Sequence, residues 1–131
     1  AMLYKLMLIF LLIKNPLGSP TDEFIETIEN TYLVENSNNS GITKIVIDPT
    51  HKKVKIWESC IPKDCDWGIV TYTQKNDHLE AMFAMGDIKK LAILSLSKDR
   101  LTLNAEIKYI TNQKIFKTVN YSLKSQKNRK K

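Results

Sequence analysis

The amino-acid sequence predicts an all-β domain, an eight-stranded antiparallel up-and-down barrel preceded by a short N-terminal helix. Three observations carry this expectation. From Thr31 onward the apolar residues recur with period two. The apolar runs are short, rich in Val, Ile, Thr and Tyr, and separated by polar turn clusters. No stretch between them is long enough for the helical crossover that parallel neighbours require, so consecutive strands pair antiparallel.

The chain begins Ala1-Met2, which reads as a cloning remnant. Lys5 then precedes an apolar run, Leu6 to Ile13, closed by Lys14-Asn15-Pro16. A helix of that length falls well short of the roughly twenty residues a bilayer core needs, so no transmembrane span is expected. A cation ahead of a short apolar core is instead the pattern of a secretory signal. Leu17-Gly18-Ser19-Pro20 is a poor cleavage site, which leaves two readings of residues 1–18: a signal-like segment of an exported protein, which is favoured, or an uncleaved apolar helix.

Residues 19–30 are expected to form the short helix. Ser19 suits the N-cap, Pro20 the first helical position, and Asp22 and Glu23 the positive end of the dipole. Phe24, Ile25 and Ile28 supply an apolar stripe with which it would lie across an end or edge of the sheet.

The barrel domain is expected over residues 31–123. Tyr32-Leu33-Val34 is a short first run, followed by the polar loop Asn36 to Gly41. Ile42 to Asp48 is β-branched and compact, and Pro49 ends it. Lys53 to Ser59 alternates, with Val54 and Ile56 on one face and Lys53, Lys55 and Trp57 on the other. Trp67 to Gln74 and Leu79 to Met85 follow, the latter placing Leu79, Ala81, Phe83 and Met85 together. Lys89 to Ser97 sets Leu91, Ile93 and Ser95 opposite Ala92, Leu94 and Leu96. Arg100 to Tyr109 alternates most regularly, with Leu101, Leu103, Ala105, Ile107 and Tyr109 inward, and Ile115 to Leu123 is the last strand. Such a count closes into a barrel, lipocalin- or avidin-like in architecture, which removes exposed edges; a small β-sandwich is the alternative.

A hydrophobic fraction of 43% and a charged fraction of 26% are those of an ordinary globular domain. The net charge of +6 is concentrated at one end. Lys124, Lys127, Arg129, Lys130 and Lys131 form a basic tail over residues 124–131, and the remainder is close to neutral. No basic stripe interleaved with aromatics precedes the tail, so specific nucleic-acid binding is not expected.

One stretch stands apart: Cys60-Ile61-Pro62-Lys63-Asp64-Cys65-Asp66-Trp67-Gly68. In an exported protein Cys60 and Cys65 read as a local disulfide pinning the hairpin between two strands. No metal site is expected, because zinc needs four ligands and His51 and His78 lie on other turns. A redox pair is not expected either, since the spacing is not Cys-x-x-Cys. Asp64, Asp66 and Trp67, with Trp57 on the preceding strand, are the candidate ligand-binding residues: aromatic faces for stacking and carboxylates for hydroxyls. The alternative reading has the aspartates capping the turn and Trp67 filling the barrel mouth. Trp57 is equally suited to cross-strand packing. Neither histidine has an evident nucleophile, and Glu58, Glu80 and Glu106 are read as alternating away from the core. No catalytic residue and no cofactor is therefore assigned.

At this loop the sequence resembles a family of small, functionally uncharacterised bacterial proteins, mostly exported, marked by Cys-His-Pro-x-Asp-Cys-Asp-Trp-Gly. Cys60, Pro62, Asp64, Cys65, Asp66, Trp67 and Gly68 match, and Ile61 replaces the histidine. That family's Gly-Ile-Thr-x-Ile-x-Ile strand is matched by Gly41 to Ile47, and the resemblance spans about Tyr32 to Leu123. It implies kinship and a periplasmic or secreted location, and carries over no activity. Any role of the histidine would be lost at Ile61.

The expected function is that of a non-enzymatic exported protein binding a small apolar ligand or a glycan at the barrel mouth. It requires internal space, for which Ala81, Ala105 and Ser95 are small inward candidates. The alternative is an envelope-structural or protein-interaction module with a filled core, held by an envelope protein partner.

Overall fold

The computed structural model describes residues 24–34 and 41–127. The apolar run at Leu6 to Ile13, the proposed helix start at Ser19-Pro20 and the end of the basic tail lie outside them. Nine antiparallel strands form a nearly closed barrel: β1 (Thr31–Val34), β2 (Ile42–Asp48), β3 (Lys53–Glu58), β4 (Cys65–Thr71), β5 (Thr73–Gln74), β6 (Leu79–Met85), β7 (Ile88–Leu96), β8 (Thr102–Thr111) and β9 (Lys114–Ser125). Each strand pairs with its neighbour in sequence except β4 with β5, and β1 also pairs with β9, giving the order β4-β3-β2-β1-β9-β8-β7-β6-β5.

The count is nine because the expected fourth strand is divided at Tyr72. Before that residue the chain bonds to β3; after it the chain bonds to β6. Tyr72 N donates to Lys52 O at 3.0 Å and makes the last link to the β3 side. One continuous segment thus carries the hydrogen bonding from one end of the sheet to the other. Past the β5–β6 hairpin, β4 and β6 lie side by side without a ladder, and Trp67 packs edge-on against Phe83 across the gap at 5.4 Å.

The interior is a packed side-chain cluster. Ala81, Ala92 and Ala105 on β6, β7 and β8 share it with Ile45, Val54, Ile56 and Phe83, all of them buried. Alternating small and large residues fill a narrow barrel in this way. Ala81 and Ala105 are inward as expected. Ser95 points outward, because Ala92 and Leu94 hold the inward parity of β7. Glu58 also departs from expectation: it shares the inward parity of Val54 and Ile56 and pairs with the buried Ile42.

Two bulges set the faces of β2 and β4. Pairing of Ile42 with Glu58 and of Lys44 with Trp57 leaves Thr43 as an extra residue in β2. Pairing of Lys55 with Ile69 and of Trp57 with Asp66 leaves an extra residue in β4 beside Gly68, whose φ of 99° is readily adopted by glycine. Trp67 therefore turns inward while Asp66 and Ile69 stay outside.

The N-terminal helix is not present in its described part. Residues 24–27 are not helical and lead into one 3-10 turn, Ile28–Asn30. Ile25 N donates to Asp48 Oδ2 at 2.7 Å, and Glu26 pairs with Lys44 at 2.8 Å. Both partners stand on the outer face of β2, so the segment straps that face rather than coiling on itself. Val46, between them on the same face, is fully buried. At the other terminus β9 runs through Ser125, and Lys124 pairs with Leu33, so the sheet continues into the start of the basic tail. Among the described residues no helix is long and apolar enough to cross a membrane.

Candidate functional site

The barrel ends offer different chemistry. At the first, the cysteine loop joins β3 to β4. Cys60 and Cys65 form a disulfide with Cα atoms 5.5 Å apart. Asp64 Oδ2 accepts from Thr43 Oγ1 at 2.7 Å, and Asp66 Oδ1 accepts from Gly68 N at 2.7 Å. The second bond is an Asx-type closure that holds the bulge. Asp66 also pairs with Lys55 at 3.2 Å.

The four candidate residues do not meet in one site. Trp57, Asp64 and Asp66 share a shallow outer depression with Lys44 and Lys63. Trp67 is on the inner side and buried. Lys44 Nζ and Lys55 Nζ lie 4.5 and 4.7 Å from the centre of the Trp57 ring, so lysines already occupy the ring's π surface.

Inside this end lies an aromatic and charged plug. Trp67 Nε1 donates to Glu58 Oε1 at 2.9 Å, and Lys90 Nζ stands 3.6 Å from that oxygen. The same ammonium lies 4.3 Å from the centre of the Trp67 ring and 5.3 Å from that of Tyr109. Burial, then the neighbouring Tyr121 and Glu58, push the Tyr109 phenol up to about 12. Tyr121 is raised by the same burial and by Glu58. Glu58, Lys90 and the Trp67 indole are paired with one another, and Trp67 with Phe83 fills the space where β4 and β6 part.

The opposite end is open. A cleft of about 260 Å³ is bounded by the turns after β2, β5 and β7. Its floor is apolar, made by Ile47, Leu79, Leu94 and Leu96, and Tyr32 and Tyr72 form walls. Gln74, His78 and Arg100 stand at the polar rim. Burial raises both phenols.

On the outer face of β2, Asp48 is a buried acceptor hub. Its carboxylate takes bonds from Ile25 N, Thr50 N and His51 N, and lies 2.9 Å from His51 Nδ1. Burial works to raise this carboxyl, but the bonds from Ile25 and His51 outweigh it and hold the group below its ordinary value.

His78 is the chemically richest rim residue, yet it is arranged as an ion-pair centre. Nδ1 lies 2.7 Å from Asp77 and Nε2 lies 2.9 Å from Glu80. Glu80 first and Asp77 second raise its pKa, and His78 in turn lowers that of Asp77. With carboxylates on both ring nitrogens, neither nitrogen faces a nucleophile. Among the described residues no three His, Cys, Asp or Glu side chains converge to hold a metal ion.

Sequence reasoning missed this end. Tyr32 and Tyr72 look like ordinary strand residues, and Arg100 like the first residue of a strand. The one available signal was parity, which turns Tyr72 inward with Val70 at a strand's end.

No family model, no curated protein and no solved structure matches this chain.

Proposed function

We propose that this protein is a non-enzymatic exported binding protein that takes a small, largely apolar ligand in the cleft at the Tyr72 end. One observation carries the reading: the cleft, with its apolar floor and polar rim, lies at the only barrel end without a side-chain plug among the described residues. Binding sites in small barrels sit at such mouths. At about 260 Å³ it is near the low end of ligand pockets, roughly 300 Å³ and upward, so the ligand is a small one. The disulfide and the signal-like segment support export, as does the proposed kinship with the exported bacterial family.

A substitution on the floor tests the reading. Leu94→Trp fills the cleft from below, and titration of the isotopically labelled full chain with benzyl alcohol reads the result by NMR. The wild type should shift resonances of the cleft lining, and the variant should not. Unchanged wild-type spectra at tens of millimolar alcohol would sink the reading.

A second reading, an envelope-structural or interaction module with a filled core, is favoured by Ile115 and Phe116. Both are more than half exposed on the outer part of β9. Self-association in sedimentation that disappears in Phe116→Ser would support it; a monomer unaffected by the change would count against self-pairing through that strand.

A further inference from the structure

The cleft at the Tyr72 end contains a cation without a counter-ion among the described residues, and we propose that this cation selects the ligand: a small carboxylate paired with the Arg100 guanidinium and the Tyr72 hydroxyl, its apolar body on Leu79 and Leu94. The proposal rests on the binding reading above and adds the chemical class of the ligand.

Most polar groups around the cleft are spoken for; among the described residues the Asn76 amide, the Tyr72 hydroxyl and the Arg100 guanidinium are not. Asp48 is committed to Ile25, Thr50 and His51, and His78 to Asp77 and Glu80. Asp99, next to Arg100 in sequence, accepts from Ser97 Oγ and Leu101 N. Among the described residues, the Arg100 guanidinium makes no hydrogen bond or ion pair, and the Tyr72 hydroxyl makes no hydrogen bond. Both line the same cleft. The guanidinium is close enough for its charge to oppose the burial that raises the Tyr32 and Tyr72 phenols.

The backbone at Arg100 points the same way. Arg100 has a φ of 62°, a left-handed conformation that glycine adopts freely and a branched or long side chain adopts at a steric cost. It is one of four non-glycine residues with positive φ, and the one that lines the cleft. The conformation is held from both sides: Arg100 N donates to Ser97 O at 2.9 Å, and Tyr32 Oη donates to Arg100 O at 3.2 Å. The fixed turn thus holds the arginine at the cleft's rim.

A planar guanidinium favours a carboxylate, which it binds through two parallel hydrogen bonds, and the Tyr72 hydroxyl adds a third donor. A dianionic phosphate is less suited, because one arginine leaves a charge unmatched and Asp77 stands on the same rim. Space bounds the rest. About 260 Å³ holds roughly nine non-hydrogen atoms at about 30 Å³ each. Benzoate and hexanoate are of that size.

The experiment is isothermal titration of the full chain with benzoate, benzyl alcohol and phenyl phosphate at pH 7 and low salt, with NMR shifts locating each. Benzoate should bind about tenfold or more tighter than benzyl alcohol. Arg100→Gly should erase that preference without lowering the melting temperature, since glycine suits the turn, and Tyr72→Phe should reduce it a few-fold. Equal binding of benzoate and benzyl alcohol, or a preference that survives Arg100→Gly, overturns the carboxylate assignment while leaving the cleft reading intact. Tighter binding of phenyl phosphate than of benzoate overturns it too. No shift in the cleft with any probe overturns both.

Discussion

The two ends of this barrel are built from the same ingredients and differ in whether those ingredients have found each other. At the Trp67 end, an ammonium, a carboxylate and an indole satisfy one another beside two phenols, and the aromatic rings fill the gap between β4 and β6. At the Tyr72 end, a guanidinium and a phenol stand over an apolar floor with nothing between them. Side chains that pair internally make a plug, and side chains of the same kind left unpaired at a mouth make a site. The two tryptophans do not mark an open mouth, because Trp67 closes the gap between β4 and β6 and Trp57 packs against lysines.

The plug can be broken most severely at Phe83. Phe83→Ala removes the edge-on partner of Trp67 from a fully buried position and should cost about 3–5 kcal/mol, read from urea unfolding at fixed m-value. A cost below about 1 kcal/mol would mean that the gap between β4 and β6 is not held by these rings.

Removing the acid of the plug comes next. Glu58→Ala leaves Lys90 partly buried beside two aromatic rings without its carboxylate and strips the acceptor from Trp67 Nε1. Because Glu58 is about a third exposed, the loss should be about 2 kcal/mol rather than that of a fully buried pair. Glu58→Ala with Lys90→Met should recover part of it, and no recovery in the double variant would contradict the pairing.

The disulfide contributes about 2 kcal/mol on loop-closure grounds, because the loop it closes is short. Cys60→Ser with Cys65→Ser should lower the denaturation midpoint by that amount and leave the Tyr72-end cleft resonances in place. Movement of those resonances would mean that the two ends are not independent.

The smallest effect is one of pH at Asp48. The folded-state pKa of Asp48 lies below the ordinary value of 3.8, so the stability it confers is fully present above about pH 5. It is lost as pH falls below 3.8 through the depressed folded value. Unfolding midpoints at pH 6 and pH 3 should therefore differ more in the wild type than in Asp48→Asn, which lacks the titrating group. Equal differences would remove Asp48 from the account.

Much of the barrel was legible in the residues because alternation is local. The inward sets Leu79, Ala81, Phe83 and Leu103, Ala105, Ile107 follow from period two, and both are buried. Features that depend on pairing were not legible. The bulges at Thr43 and beside Gly68 arise only when β2, β3 and β4 align, and they turn Ile42 and Trp67 inward; Glu58, by contrast, follows the plain alternation of Val54 and Ile56, which the expectation of an outward Glu58 overlooked. The division at Tyr72 depends on β6 meeting the same segment from the other side. Phe24 to Thr27 has the residues of a helix, but Asp48, distant in sequence, takes the Ile25 N–H and holds the segment along β2. The open end escaped for the same reason: Tyr32, Tyr72 and Arg100 are far apart along the chain and become neighbours only when the ring closes.

The contrast between the ends is tested most directly by the two indole N–H signals during a benzoate titration. Trp57 and Trp67 are the only tryptophans, so each signal reports on one location. Both signals are expected to stay in place while the methyl signals of Leu79, Leu94 and Leu96 move with saturation. An indole signal that moves with the ligand while those methyls stay fixed would place the site at the Trp67 end and contradict the account.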